Sequence, residues 1–373
     1  MQTKINLTIA VSGIHRAVSH EWTLQHLSQE KFNFSFILIN SHDSEMEQFL
    51  IRHNVPYLLA QFRSKKDLPG AVWRILRFLR RQKTQVIHTH LFEANLAGLL
   101  AAWLAGIKRR IYTRHHSTIH HVYFPGYVKY DRWVNHLATD IVAVSSMVRD
   151  VLVAKEGVAA RKVHLVPHGF RFEEFEGVQA ERVERLHQKY GIGERKPVIG
   201  VISRYTGWKG VQHIIPAFKS LLTDYPGAVL VLANAQGDYA VEIRRHLASL
   251  KPEQFIEIDF EPDFIALYRL FTVFVHVPID NHSEAFGQTY VEALLSGVPS
   301  VFTLSGIACE FIRHRNNAYV VDYNSPAQVY EGMKTLLVDD ALRERLSAQG
   351  KADVLARFPL QLMLERFEKL YSR

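Results

Sequence analysis

The chain has 373 residues, 47% of them hydrophobic, a formal net charge of +8 and one cysteine, Cys309. That length exceeds what a single core normally supports, so two domains are expected, and the apolar content excludes a disordered chain. One cysteine excludes an intrachain disulfide and suits a reducing, cytoplasmic compartment.

In chain order, residues 5–11 form an apolar run too short for a signal peptide and predict a first β-strand. A helix over 20–27, a strand over 34–39 and a helix over 46–53 follow. From Pro69 to Lys83, Val72, Trp73, Ile75, Leu76 and Leu79 alternate with Arg74, Arg77, Arg80 and Arg81. This predicts a basic amphipathic helix, packed by one face on its own sheet or touching an anionic membrane surface. Lys108, Arg109 and Arg110 extend the positive charge, but no nucleic-acid motif accompanies it, so nucleic acid is not an expected partner.

A strand over 86–89 leads to a helix over 94–105, and Glu93 and Asn95 make the apolar stretch 91–107 a buried helix, not a membrane span. A strand over 110–113, a helix over 128–138, a strand over 141–144, a helix over 146–156 and a strand over 163–166 complete the first series. Short strands alternating with helices describe an open parallel sheet covered on both faces, so residues 1–170 are expected to be one doubly wound α/β domain.

Residues 171–196 turn charged and read as a linker with a helix. Strands over 198–202, 228–233, 255–258, 271–279 and 300–303 then alternate with helices over 211–222, 239–247, 264–270 and 289–296, and outer helices over 326–336 and 341–358 follow. Residues 197–355 are therefore expected to be a second doubly wound domain, with 356–373 a C-terminal segment.

Glu284 and Glu292 stand eight residues apart across the predicted junction between strand 271–279 and helix 289–296. Open α/β sheets hold ligands beyond the carboxyl ends of their strands, where such loops lie. Arg204 and Lys209 follow strand 198–202, flanked by Gly207 and Gly210. His115 and His116, then His120 and His121, follow strand 110–113, without the Cys or carboxylate spacing of a zinc site and with no Asp-x-Asp in the chain; no metal is expected. His88 and His90 close strand 86–89, and at most one is expected to face a ligand. Arg114 is a candidate for an acceptor phosphate.

These residues resemble the retaining glycosyltransferases of family 4. Glu284 to Glu292, with Phe286-Gly287 between, match that family's Glu-x7-Glu motif, and Arg204 and Lys209-Gly210 match its Arg and Lys-Gly positions. Gly306 through Glu310 and Phe311-Ile312 resemble the segment after the next strand. His88-x-His90, Thr113-x-His115 and Pro167-x-Gly169 carry a looser likeness in the first domain, and Phe358, Met363, Phe367 and Tyr371 resemble a final helix that crosses back onto it. One departure is Ser12-Gly13-Ile14-His15, where the family often has paired glycines.

The resemblance implies a GT-B fold, two Rossmann-like domains facing each other across a cleft, and transfer of a sugar from a nucleotide-sugar donor to a saccharide or lipid-linked acceptor. It assigns Arg204 and Lys209 to the diphosphate, Glu284 to the sugar hydroxyls, Glu292 to the ribose and His115 to the reacting sugar. At that departure either Gly13 alone keeps the turn after the first strand or the acceptor side of the cleft is built differently, and Ala285, Phe286 and Gly287 are expected to support donor oxygens through backbone N–H groups. No cofactor is implied. The expected setting is cytoplasmic or peripheral on the inner face of the membrane, in polysaccharide or lipopolysaccharide synthesis. A GT-B sugar-nucleotide epimerase and a non-catalytic sugar-nucleotide-binding protein are the alternatives.

Overall fold

Residues 4–373 are described by a computed structural model; residues 1–3 of the expected first domain lie outside the described residues. The chain divides into two compact units, one running to Phe170 and including Leu360–Arg373, the other Arg171–Pro359.

In the first unit, β1 (Ile5–Ser12), α1 (Val18–His26), β2 (Phe32–Ile39), α2 (Glu45–Arg52), β3 (Tyr57–Ala60), α3 (Leu68–Arg81), β4 (Val86–His90), α4 (Phe92–Leu104) and β5 (Arg109–Arg114) alternate as strand and helix. Then come α5 (Ile119–Val122), α6 (Val128–Leu137), β6 (Asp140–Ala143), α7 (Ser146–Asp150) and β7 (Val163–Leu165). The seven strands are parallel in the order β3-β2-β1-β4-β5-β6-β7. Because β1 and β4 are covered on both faces, every residue from Leu7 to Ser12 and from Val86 to His90 is buried. Trp22, Leu24, Met46, Phe49 and Leu50 share one core with Met363, Leu364, Phe367 and Tyr371 of the C-terminal helix Leu360–Tyr371. On the opposite face α3, α4 and α6 pack side by side.

The edge strand β3 was not expected: its four residues follow Pro56 and only Ala60 is fully buried, so no alternation marks it. The helix expected over 146–156 is α7 continued by a single π-helical turn, Val151–Lys155, which leads to the buried Glu156 side chain.

The second unit has α8 (Phe172–Glu176), α9 (Ala180–Lys189), β8 (Val198–Ile202), α10 (Val211–Asp224), β9 (Val229–Ala233), α11 (Ala240–Leu247), β10 (Phe255–Ile258), α12 (Phe264–Tyr268) and β11 (Val273–His276). It continues through α13 (Gln288–Leu295), β12 (Ser300–Phe302), α14 (Ala308–Phe311), β13 (Tyr319–Val320), α15 (Pro326–Val338) and α16 (Asp340–Arg357), and α17 is the C-terminal helix Leu360–Tyr371 of the first unit. The six strands are parallel in the order β10-β9-β8-β11-β12-β13.

Residues 171–196 fold as α8 and α9 within this unit: Arg182 pairs with Asp263 at 2.5 Å, Lys189 with Glu261 at 2.7 Å, and Arg269 donates to the Phe175 carbonyl. Phe358 packs on Phe286 and Phe311 in the same unit. Among the described residues no helix is long and apolar enough to cross a membrane.

Candidate functional site

The strand order of the second sheet reverses between β8 and β11, and that switch point opens a crevice beyond the strand ends. Two loops leave there. After β8 the chain makes one 3-10 turn, Gly207–Lys209, and Gly210 follows at φ +75°. A Cβ on Gly210 would lie 1.8 Å from the Val277 carbonyl oxygen, so only glycine lets this loop close onto the end of β11. The Ile279 N–H, bonded to the Trp208 carbonyl at 3.1 Å, ties the two loops together.

This closure delivers Lys209 to Glu284: Nζ stands 2.5 Å from Oε1. His276, the last residue of β11, places Nε2 3.0 Å from the same oxygen, and the Ser305 hydroxyl accepts the Glu284 N–H at 2.9 Å. Burial by itself would raise the Glu284 pKa, but the Lys209 ammonium and the His276 ring overcome it and hold the carboxyl down to about 2. The ring of His276 goes the other way: its burial outweighs Glu284 and lowers its pKa, so a neutral ring donates through Nε2–H while Nδ1 is buried without a partner. A carboxylate, an ammonium and a neutral imidazole thus meet at one oxygen.

Glu292 sits on α13, and its carboxyl meets a different partner from those of Glu284. Gly287 caps this helix at φ +84°, where a Cβ would strike the Tyr290 ring at 2.7 Å. The Tyr268 hydroxyl donates to Glu292 Oε2 at 3.0 Å, yet burial dominates and pushes the Glu292 pKa up to about 7. Arg204 is exposed on the loop after β8, and among the described residues its guanidinium has no carboxylate partner. Phe286 is buried, with its carbonyl accepting from Ile307 N–H at 3.0 Å, while Ala285 precedes it in the loop.

Sequence reasoning missed His276, Ser305 and Tyr268. A histidine ending the otherwise apolar Val273-Phe274-Val275 was the available signal; Ser305 and Tyr268 come from other elements and carried none.

The first unit brings its histidines together at the carboxyl ends of β4 and β5. His88 and His90 lie on the same side, with ring centroids 4.2 Å apart, because residues two apart on a strand share a face. His90 Nδ1 is 3.1 Å from His115 Nε2, the His115 ring stacks on His168, and His88 bonds Thr113 and the Tyr371 hydroxyl. Burial lowers all these pKa values, to about 4 for His20 and His168 and about 3 for His88, and holds His90 and His115 well below the usual range. Gly13 follows β1 at φ +61°, its N–H bonded to the Ile39 carbonyl at 2.8 Å.

Arg114 is not at an acceptor surface. Its side chain is 1% exposed and pairs with Asp131 at 3.2 Å and Glu156 at 2.5 Å, which a buried guanidinium needs to offset its desolvation. His120 bonds Asp131 at 2.7 Å and His121 bonds Glu156 at 3.0 Å. His116, His120 and Asp131 offer ligand atoms within 4.8 Å of one another and could hold a metal ion, although Arg114 already occupies Asp131. Beside this network an open groove of about 860 Å³ is lined by Phe92, Phe124, Tyr127, Tyr130, Lys65 and Lys129.

Two family profiles match the chain: Glycosyl transferases group 1 over residues 182–353 and Glycosyltransferase Family 4 over residues 23–174. The capsular polysaccharide biosynthesis glycosyltransferase CapM of Staphylococcus aureus is 24% identical, over 92% of this chain and 90% of its own. The 2-deoxystreptamine glucosyltransferase of Streptomyces kanamyceticus is 26% identical, over 74% of this chain and 73% of its own. Among solved structures, Anabaena HepE in complex with UDP and glucose superposes with a TM-score of 0.83 at 18% identity, over 99% of this chain and 100% of the other. A likeness at that identity shows a shared fold.

Proposed function

The chain belongs to glycosyltransferase family 4 and has the GT-B fold of two parallel-sheet Rossmann-like domains, and from that premise we propose which groups it moves and how. It is a glycosyltransferase; we infer that it transfers a sugar, with retention of configuration, from a nucleoside-diphosphate sugar to a glycan or lipid-linked acceptor. Cell-surface polysaccharide or lipopolysaccharide synthesis is the proposed setting, cytoplasmic or peripheral at the inner membrane face. CapM, by its name, supports a polysaccharide product, and the UDP and glucose bound by HepE support a nucleotide-sugar donor. The named relatives do not favour an epimerase or a non-catalytic binding protein.

The observation that carries this reading is the meeting of Lys209, Glu284 and His276 at the crevice of the second sheet. Departure of a nucleoside diphosphate builds negative charge on the leaving oxygen, and preorganised cations stabilise that charge more in the transition state than in the ground state. We assign this to Lys209 and to Arg204, whose guanidinium carries no competing carboxylate. Glu284, held ionised, accepts hydrogen bonds from sugar hydroxyls, and Glu292 accepts them from the ribose. Gly287 and its neighbours Ala285 and Phe286 are the proposed backbone support at the start of α13. We assign the reacting sugar to His115, which is braced by His90 and whose neutral ring does not repel positive charge developing on that sugar. The groove beside Tyr127 is the proposed acceptor site, and Gly13 shapes the loop after β1.

The function is tested by thermal shift against UDP-, GDP-, ADP- and dTDP-sugars, followed by product analysis with the preferred donor. One donor is expected to raise Tm, by about 2.7 kcal/mol of added stability at a hundredfold excess over Kd. The product is expected to keep the donor's anomeric configuration, and EDTA to leave turnover unchanged because Arg204 and Lys209 serve in place of a metal. An inverted product, or no response to any donor, overturns the reading; loss of turnover in EDTA overturns metal independence.

Arg204→Ala is expected to lower kcat, and Glu292→Ala to raise the donor KM. Ribose hydroxyls donate to the ionised form of Glu292, whose pKa is about 7, so donor KM is expected to fall as pH rises from 6 to 8. Glu292→Gln should flatten this profile, and an unchanged slope in that variant refutes the ribose assignment.

A further inference from the structure

Three segments of the first unit build the groove beside Tyr127. Lys65 comes from the 3-10 turn Lys65–Asp67 after β3, Phe92 and Glu93 open α4 directly after β4, and Tyr127 caps α6, whose first turn carries Lys129 and Tyr130. The volume of about 860 Å³ lies in the range that holds a small ligand, about 300–1,000 Å³. The Tyr127 ring centroid is 5.1 Å from that of Phe92 and 6.0 Å from that of Tyr130, and Phe92 and Tyr130 are 5.8 Å apart. Three rings therefore make one wall, and Tyr127 is 44% exposed on it.

The fold leaves the polar groups of this groove open. The Ser12 hydroxyl donates to Glu93 Oε2 at 2.9 Å, whereas Glu93 Oε1 and the phenol hydroxyls of Tyr127 and Tyr130 enter no protein hydrogen bond among the described residues. Lys65 and Lys129 are exposed, and among the described residues neither has a carboxylate partner. Lys129 Nζ stands 5.2 Å from the Tyr130 ring centroid, so its charge lies beside the aromatic wall. Arg63 lines the groove too and adds a third positive charge. Asp67, the carboxylate nearest to Lys65 in the chain, is turned back on the N–H groups of Arg63 and Ser64 at 3.0 and 2.8 Å, and Asp131 of α6 is buried against Arg114.

We propose that this groove takes a saccharide that carries its own negative charge, on a uronic acid or a phosphorylated sugar. One face of a sugar ring is a row of C–H bonds that packs on aromatic rings, while its hydroxyls point outward to donors and acceptors. Phe92, Tyr127 and Tyr130 supply the packing, and Glu93 with the two phenols supplies the hydrogen bonds. A neutral sugar leaves Lys65, Lys129 and Arg63 unused, and a free phosphate or carboxylate leaves the three rings unused. An acidic saccharide answers both. An apolar ligand would cover the open Glu93 oxygen without offering it a donor, which costs desolvation with no return. As the acceptor's class this rests on the reading of the groove as the acceptor site; as a saccharide site it stands on the groove alone.

Three disaccharides of one backbone test it by saturation-transfer NMR on the full chain: cellobiose, cellobiuronic acid, whose terminal ring is a glucuronate, and cellobiose 6′-phosphate. At least one charged probe is expected to bind about tenfold more tightly than cellobiose, with a margin that shrinks as salt is added. Preference for the glucuronate assigns a uronic acid, and preference for the phosphate a phosphorylated sugar. Lys65→Gln with Lys129→Gln is expected to erase the margin and leave cellobiose binding as it was. Tyr127→Ala is expected to weaken all three probes alike, by about tenfold. Both variants replace exposed side chains, and a thermal melt matching the wild type shows the fold intact. Equal binding of charged and neutral probes, no binding of any probe, or a margin that survives the double Gln variant overturns the proposal. A bound charged probe that neither accepts sugar from the preferred donor nor slows its turnover instead refutes the acceptor reading and upholds the charged-saccharide site.

Discussion

Lys209→Met and Glu284→Gln are each expected to lower kcat about 10²- to 10³-fold, the range for removing one preorganised group from the charge that develops in a transition state. The two losses are not expected to add. Lys209 and His276 share one oxygen of Glu284, so removing either partner of the ion pair redistributes the same contacts. Lys209→Met keeps the apolar stem but leaves a buried carboxylate facing only a neutral imidazole. Breaking a buried pair by one partner costs about 3–5 kcal/mol. Glu284 then takes up a proton more readily, or His276 becomes charged to replace the lost ammonium. The double variant Lys209→Met with Glu284→Gln removes the unpaired charge and is expected to recover stability without recovering turnover. Steady-state kinetics beside a thermal melt separates the two effects. Wild-type kcat in both single variants sinks the assignment, and loss of kcat only in proportion to loss of folded protein reduces the pair to a structural role.

Acidification is expected to unfold the first unit before the second. His20, His88, His90, His115 and His168 gather at the strand ends with pKa values lowered chiefly by burial, so the folded chain holds them neutral. Once unfolded, they bind protons near their ordinary value of about 6.5. The unfolded state therefore carries more protons at every pH between that value and the folded one, and stability falls as pH falls through this window. Each such histidine contributes a slope of about 1.4 kcal/mol per pH unit, which for His20 or His88 amounts to about 3 kcal/mol by pH 4. Domain stabilities are of the order of 5–15 kcal/mol, so a few of these groups suffice. Trp22 reports on the first unit and Trp208 on the second; with the exposed tryptophans replaced by Phe, the Trp22 transition should move to lower temperature from pH 7 to 5 well ahead of the Trp208 transition. His88→Gln should flatten that dependence. Parallel shifts of both transitions contradict the histidine account.

Much of this architecture was legible because its signals are local. Parallel strands covered on both faces are short continuous apolar runs, as in Val198–Ile202 and Val229–Ala233, and they stand out between helical patterns. Failures occurred where the decisive partner is distant in sequence. The charged stretch 171–196 resembles a linker, yet Arg182 and Lys189 find Asp263 and Glu261 some eighty and seventy residues away. Arg114 looked available to an acceptor because two buried carboxylates, Asp131 and Glu156, come to it from other elements.

By itself, the amino-acid sequence determined the two alternating series, the family motifs and the identities of Arg204, Lys209, Glu284, Glu292 and His115. Only the tertiary structure decided their states. Glu284 and Glu292 are the same residue type in one motif, yet one meets an ammonium and an imidazole and is held at about 2, while the other meets a single hydroxyl and rises to about 7. The physical reason is that a motif specifies which groups reach a strand end, whereas a carboxyl's charge depends on its burial and on partners that folding brings from elsewhere in the chain.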